Sequence, residues 1–132
     1  MPPWRLPQGL TEADIDAAEG FIYTVTRRDT GRSYVGKKWT RMKRGKKRLI
    51  SKWRTYWSSC EELLVEIKQL GHDAFDREII LVCDSQSLTN YEEVAEMMRR
   101  DVLRAKLPDG SPAYYNRNVF ARWYAGRGCM KG

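Results

Sequence analysis

The chain has 132 residues, 42% of them hydrophobic, and a net charge of +7. That is enough for one core, too little for two ordinary domains, and too apolar for a disordered chain. No apolar run reaches membrane-span length, and the opening MPPWRLPQGL lacks a signal-peptide core; three cysteines without a CxxC spacing, beside one histidine, argue against a disulfide framework and a zinc site. The expectation is a cytoplasmic protein with reduced thiols and no membrane partner.

In chain order, Pro2, Pro3 and Pro7 keep the start extended, and Thr11 reads as the N-cap of a short helix, EADIDAAE, stopped by Gly20. FIYTVT and YVGKK, on either side of an Asp-Thr-Gly turn, form an antiparallel hairpin with a tyrosine on each arm. Residues 39–58 show no clean period and read as a cationic loop or irregular helix. Ser59 and Glu62 have capping-box spacing and open a helix, CEELLVEIKQL, ended by Gly71. FDREIILVC is a third strand whose continuous apolar run suits a central position. Thr89 and Glu92 repeat the box and open a helix from about Asn90 to Lys106, with Tyr91, Val94, Met97, Met98 and Ala105 as its buried face. PDGSP then breaks the chain before YYNRNVF and a glycine-rich basic tail. The fold class is α+β: a small antiparallel sheet of about three strands flanked by helices.

Charge is segregated along this order, with −3 over residues 1–20, +12 over 21–58, −8 over 59–96 and +6 over 97–132. Ten of the eighteen residues from Lys37 to Arg54 are basic and none is acidic, with Trp39 and Trp53 between them. Like charges held together repel, so the run points to a polyanion, and nucleic acid is the commonest one in a cytosol. In the last helix, Glu92 serves the cap and Glu93 lies at the margin of the buried face. Mg²⁺ is often held by one carboxylate plus waters and phosphate oxygens, so Glu93 is a candidate ligand.

The FIY and YVG pair, a glutamate on the helix after the third strand, and YYN near the end fall in one order. That order resembles the GIY-YIG nuclease family. WRTYWSSCEELLVEIKQLGHDAFDREIIL is similar to the middle of its phage-type members, and the resemblance covers about residues 20–118. One departure is Phe21, which stands where the first motif normally has glycine, although Gly20 immediately precedes it. On this resemblance, residues 1–19 are an extension with a short helix, 20–119 the nuclease-like domain and 120–132 a basic tail.

The resemblance implies metal-dependent hydrolysis of a DNA phosphodiester by a protein of phage or mobile-element type, resident in the host cytoplasm if phage-encoded. It implies that Tyr23 and Tyr34 line the site and orient or deprotonate water. Glu93 holds one Mg²⁺ or Mn²⁺, with Glu96 as the other choice, and Asn116, ahead of Asn118, organises the site through hydrogen bonds. The family's arginine has no single counterpart. Lys38 continues the strand on the side of Tyr34 and Gly36 and is the first choice for the cation, with Arg41 and Arg44 behind it. Lys37, Arg41, Lys43, Lys46, Lys47, Arg48, Lys52 and Arg54 are the expected DNA contacts. A protein partner or a homodimer stays open, as does a non-catalytic nucleic-acid-binding or assembly role on the same scaffold.

Overall fold

The computed structural model describes residues 2–119 and the backbone of Trp123–Tyr124. Most of the basic tail expected over 120–132 lies outside the described residues. Helix α1 (Glu12–Ala17) begins at Thr11, whose backbone N–H donates to Asp14 Oδ2 at 2.8 Å. Strands β1 (Gly20–Arg27) and β2 (Ser33–Trp39) pair antiparallel, with Tyr23 opposite Gly36.

Within the stretch read as a loop or irregular helix, residues 41–50 are instead a second hairpin, β3 (Arg41–Arg44) with β4 (Lys47–Ile50). Its two-residue turn starts at Gly45, whose φ of +63° only glycine adopts freely, the requirement of a type II′ turn. A 3-10 turn at Trp53–Thr55 leads to α2 (Glu61–Leu70), then β5 (Phe75–Cys83) and α3 (Gln86–Arg100). Two short strands, β6 (Asn118–Val119) and β7 (Trp123–Tyr124), close the described chain.

The sheet order is β2-β1-β5, all antiparallel. The third long strand is therefore an edge, not the centre. Burial alternates along much of β5, with Phe75, Arg77 and Ile79 inward, whereas β1 is buried on both faces from Gly20 to Val25. The outer edge of β5 is covered by the extended N-terminal segment. Arg5 N–H donates to Arg77 O at 3.0 Å, and Ile79 N–H to Arg5 O at 2.8 Å.

Two apolar clusters sandwich the sheet. One, under α1 and α2, joins Trp4, Ile15, Phe21, Tyr23, Trp53 and Leu63 with their neighbours; the other, under α3, is built from Ile22, Val35, Met97, Val102 and Val119. Within the first, the Arg77 guanidinium lies 4.6 Å from the Trp4 ring centroid and 4.2 Å from that of Trp57. It also donates to Pro2 O at 3.0 Å, and burial pushes its pKa down to about 10. This cation–aromatic stack fastens the N-terminal segment and the Trp57 loop to β5.

Both expected capping boxes are corrected. Helix α2 starts after Cys60, and Ser58, not Ser59, receives the Cys60 N–H at 2.9 Å; Glu62 pairs with Arg32 and Arg117. Helix α3 is capped by Ser85, which accepts Leu88 N–H at 3.1 Å. Thr89 is already inside the helix, buried, with its hydroxyl donating to Ser85 O at 2.7 Å. The helix ends at Arg100 with Asp101 left-handed, short of Lys106. Of the expected buried face, Met97 is buried and Val94 packs against the same cluster, with Thr89 buried as well, whereas Tyr91 and Met98 face solvent and Ala105 lies beyond the helix. Glu93, four residues from each of Thr89 and Met97, sits within that face.

Candidate active site

An edge strand leaves outward N–H and C=O groups that need partners. Along β2 the partners come from three places in turn. Tyr115 N–H donates to Ser33 O at 2.8 Å. At Val35 a side chain replaces a strand: Asn116 Oδ1 accepts its N–H at 3.0 Å, and Asn116 Nδ2 donates to its carbonyl at 2.8 Å. At Lys37 the Glu93 carboxylate faces the backbone N–H. The Lys37 ammonium lies 3.6 Å from Glu93 Oε1 and donates to Asn90 Oδ1.

The tyrosines converge on the other face of the sheet. A Cβ on Gly36 would lie 2.6 Å from Tyr23 Oη and 2.8 Å from Tyr34 Cε2, so the two rings reach this point because residue 36 has no side chain. Their centroids are 6.2 Å apart. Tyr23 is fully buried, with its hydroxyl 3.4 Å from that of Tyr56; burial raises its pKa far above the ordinary phenol value. Tyr34 is partly buried, 3.4 Å from Ser59 Oγ, and its pKa is raised by burial as well. The Lys38 ammonium stands 4.4 Å from the Tyr56 ring centroid, and burial lowers its pKa.

Where β2 meets α3 and the start of α2, a cleft of about 380 Å³ opens, lined by Tyr34, Lys37, Cys60, Glu93, Tyr115 and Asn116 among others. Tyr34, Glu93 and Asn116 thus share one cleft, with Tyr23 packed behind Tyr34. The lysine on its lining is Lys37; Lys38 stands on the tyrosine side by Tyr56. Strand alternation puts Lys37 in phase with Val35, which packs under α3. Tyr56 is a neighbour that the motif order does not reveal, although it lies against Tyr23.

Glu93 is the carboxylate on this lining, and burial raises its pKa against the opposing pull of Lys37. Glu96 is instead paired with Arg99 and Arg100. Among the described residues no group of three or more His, Cys, Asp or Glu gathers to hold a metal. A single cleft-facing carboxylate still suits Mg²⁺, which keeps several waters and takes its remaining oxygens from phosphate.

The expected DNA contacts divide by place. Arg41, Lys43, Lys46, Lys47 and Arg48 lie on the β3–β4 hairpin, as does Arg44, one of the choices for the catalytic cation, and Arg48 is paired to Glu19. Lys52 is exposed, and Arg54 is drawn onto α1 by Glu12 and Asp16, each at 2.8 Å.

A tyrosine pair on a β-hairpin, a helix carboxylate and a late asparagine are thus arranged around an antiparallel three-stranded sheet. The family model described as "Putative endonuclease segE, GIY-YIG domain" matches residues 4–119, and the chain belongs to that GIY-YIG endonuclease family. No curated protein and no solved structure gives a significant match. No helix among the described residues is long and apolar enough to cross a membrane.

Proposed function

We propose that the protein is a metal-dependent endonuclease that hydrolyses DNA phosphodiesters, of the phage or mobile-element type. The observation that carries this reading is the cleft in which Tyr34, Lys37, Glu93 and Asn116 face one another across the β2 edge. Glu93 is the residue that would hold Mg²⁺ or Mn²⁺, and such an ion, when bound, supplies positive charge to the phosphate and the leaving oxygen. Tyr34 remains a phenol at neutral pH, since burial raises its pKa, and it orients the attacking water by hydrogen bonding. Tyr23, itself packed against Tyr56, backs the Tyr34 ring. Lys37 and Lys38, on opposite faces of β2, offer cations to non-bridging phosphate oxygens. Asn116 holds the strand that carries Tyr34, Lys37 and Lys38.

Incubation of supercoiled plasmid with the protein, with Mg²⁺ or Mn²⁺ and with EDTA, tests the reading. Relaxed or linear product appears only with the ion, and Glu93→Gln abolishes it while DNA binding persists. A second reading rests on a specific observation: Glu93 is already engaged by Lys37, and Tyr23 has no exposed surface. A non-catalytic nucleic-acid-binding protein on the same scaffold has no need to release either group. Binding without cleavage under every ion condition selects that reading.

A further inference from the structure

The β3–β4 hairpin stands apart from both apolar clusters, and every residue from Met42 to Ile50 is exposed. Its root is fixed. Thr40 N–H donates to Glu19 O at 3.0 Å, and Ser51 donates to Thr40 O and Trp39 O, each at 2.6 Å. Four residues per strand and a tight turn give an arm of about 14 Å.

Its pairing register sorts the side chains. Met42 opposes Leu49 and Arg44 opposes Lys47 on one face, with Lys43–Arg48 and Arg41–Ile50 on the other. Lys43, Arg44, Lys46 and Lys47 form no ion pair among the described residues. Cations alone would suffice for a phosphate contact. Met42 at 50% exposure and Leu49 at 43%, directly opposed, form an apolar spot beside the Arg44–Lys47 pair on the same face and call for a partner that is both anionic and locally apolar.

The major groove of duplex DNA meets that description. It is about 12 Å wide and admits a two-stranded ribbon, its rims are phosphate, and the apolar group it presents is the thymine C5 methyl. The geometry points to the β3–β4 arm as a major-groove reading element, with Lys43, Arg44, Lys46 and Lys47 on the phosphates and the Met42–Leu49 pair on thymine methyls. This inference rests on the DNA-directed reading above and adds to it a source of sequence preference for A·T-rich sites.

The test compares fluorescence anisotropy of a labelled A·T-rich duplex with that of its counterpart carrying deoxyuridine for thymidine, both in EDTA. The wild-type protein binds the thymidine duplex more tightly, by about fourfold for each methyl covered. The Met42→Thr/Leu49→Thr variant, which keeps strand-forming residues and all charges, binds the two duplexes alike with an unchanged salt dependence. Equal wild-type affinities for both duplexes overturn the proposal, as does discrimination that survives in the variant. A wild-type dimer that becomes monomeric in the variant also overturns it, because the apolar pair then covers a second copy. Plasmid nicking by the wild-type protein is scored separately. Thymine discrimination without nicking removes the nuclease reading and keeps the arm, and nicking without discrimination removes the arm alone.

Discussion

Glu93 carries two consequences of its position. Its pKa is raised by burial, so the folded protein binds a proton there more readily than the unfolded chain does. Stability contributed at this site is therefore greatest at low pH and falls as pH rises from the ordinary carboxylate value of 4.5 through the raised folded value. Glu93→Gln should be at least as stable as wild type at pH 7 and should flatten that fall, as read by thermal melts across pH, while cleavage is abolished.

Tyr34→Phe should slow cleavage by about 100-fold with little change in melting temperature, whereas Tyr23→Phe, which loses one long hydrogen bond, should cost much less. Equal rates for wild type and Tyr34→Phe would remove the water-orienting role. Gly36→Ala is the opposite kind of change. It drives a methyl into both rings and should destabilise the fold by about 2 kcal/mol, measurable by urea denaturation.

At the scale of elements, the cationic hairpin makes the clearest prediction. Neutralising Lys43, Arg44, Lys46 and Lys47 together should weaken duplex binding for all sequences. It should also make the log–log salt slope shallower, by about 0.9 for each phosphate that the protein no longer neutralises. A slope that does not move would mean that other cations face the phosphates. The N-cap of α3 offers a second test: Ser85→Ala should cost about 1 kcal/mol, while Glu92→Ala, well inside the helix, should cost little.

These elements also show what a sequence reader can and cannot see. β-Branched and aromatic residues mark β1, β2 and β5, and a glycine-punctuated turn joins the first two. A run of lysines and arginines has no apolar period, so residues 41–50 read as a loop although they pair. The Ser/Thr-x-x-Glu spacing is satisfied at 59 and 89, yet the working caps lie elsewhere, because a threonine hydroxyl inside a helix can turn back to the carbonyl four residues earlier. The tyrosines, Glu93 and Asn116 are legible through their order along the chain. That Lys37 is the lysine facing Glu93 depends on which side of β2 the last helix packs, which no local pattern records.

Over the whole molecule, one buried cation ties distant segments together. Arg77 joins Trp4, Trp57 and the carbonyl of Pro2, so the first residues are part of the packing around the sheet. Arg77→Ala should cost about 3 kcal/mol, because two indoles lose their packing partner and carbonyls are left without a donor, and should lower the melting temperature. A variant as stable as wild type would show that the N-terminal segment is held by other means.

The three-stranded sheet is also closed at both sides, by Arg5 along β5 and by Tyr115, Asn116 and Glu93 along β2. Sheets with bare sides template the growth of fibrils and swapped dimers. At Val35 that protection is a single amide group. Asn116→Ala therefore does more than disturb the cleft, since it uncovers a docking line for another chain's strand. Light scattering during prolonged incubation at physiological temperature should rise for this variant, and it should rise with protein concentration.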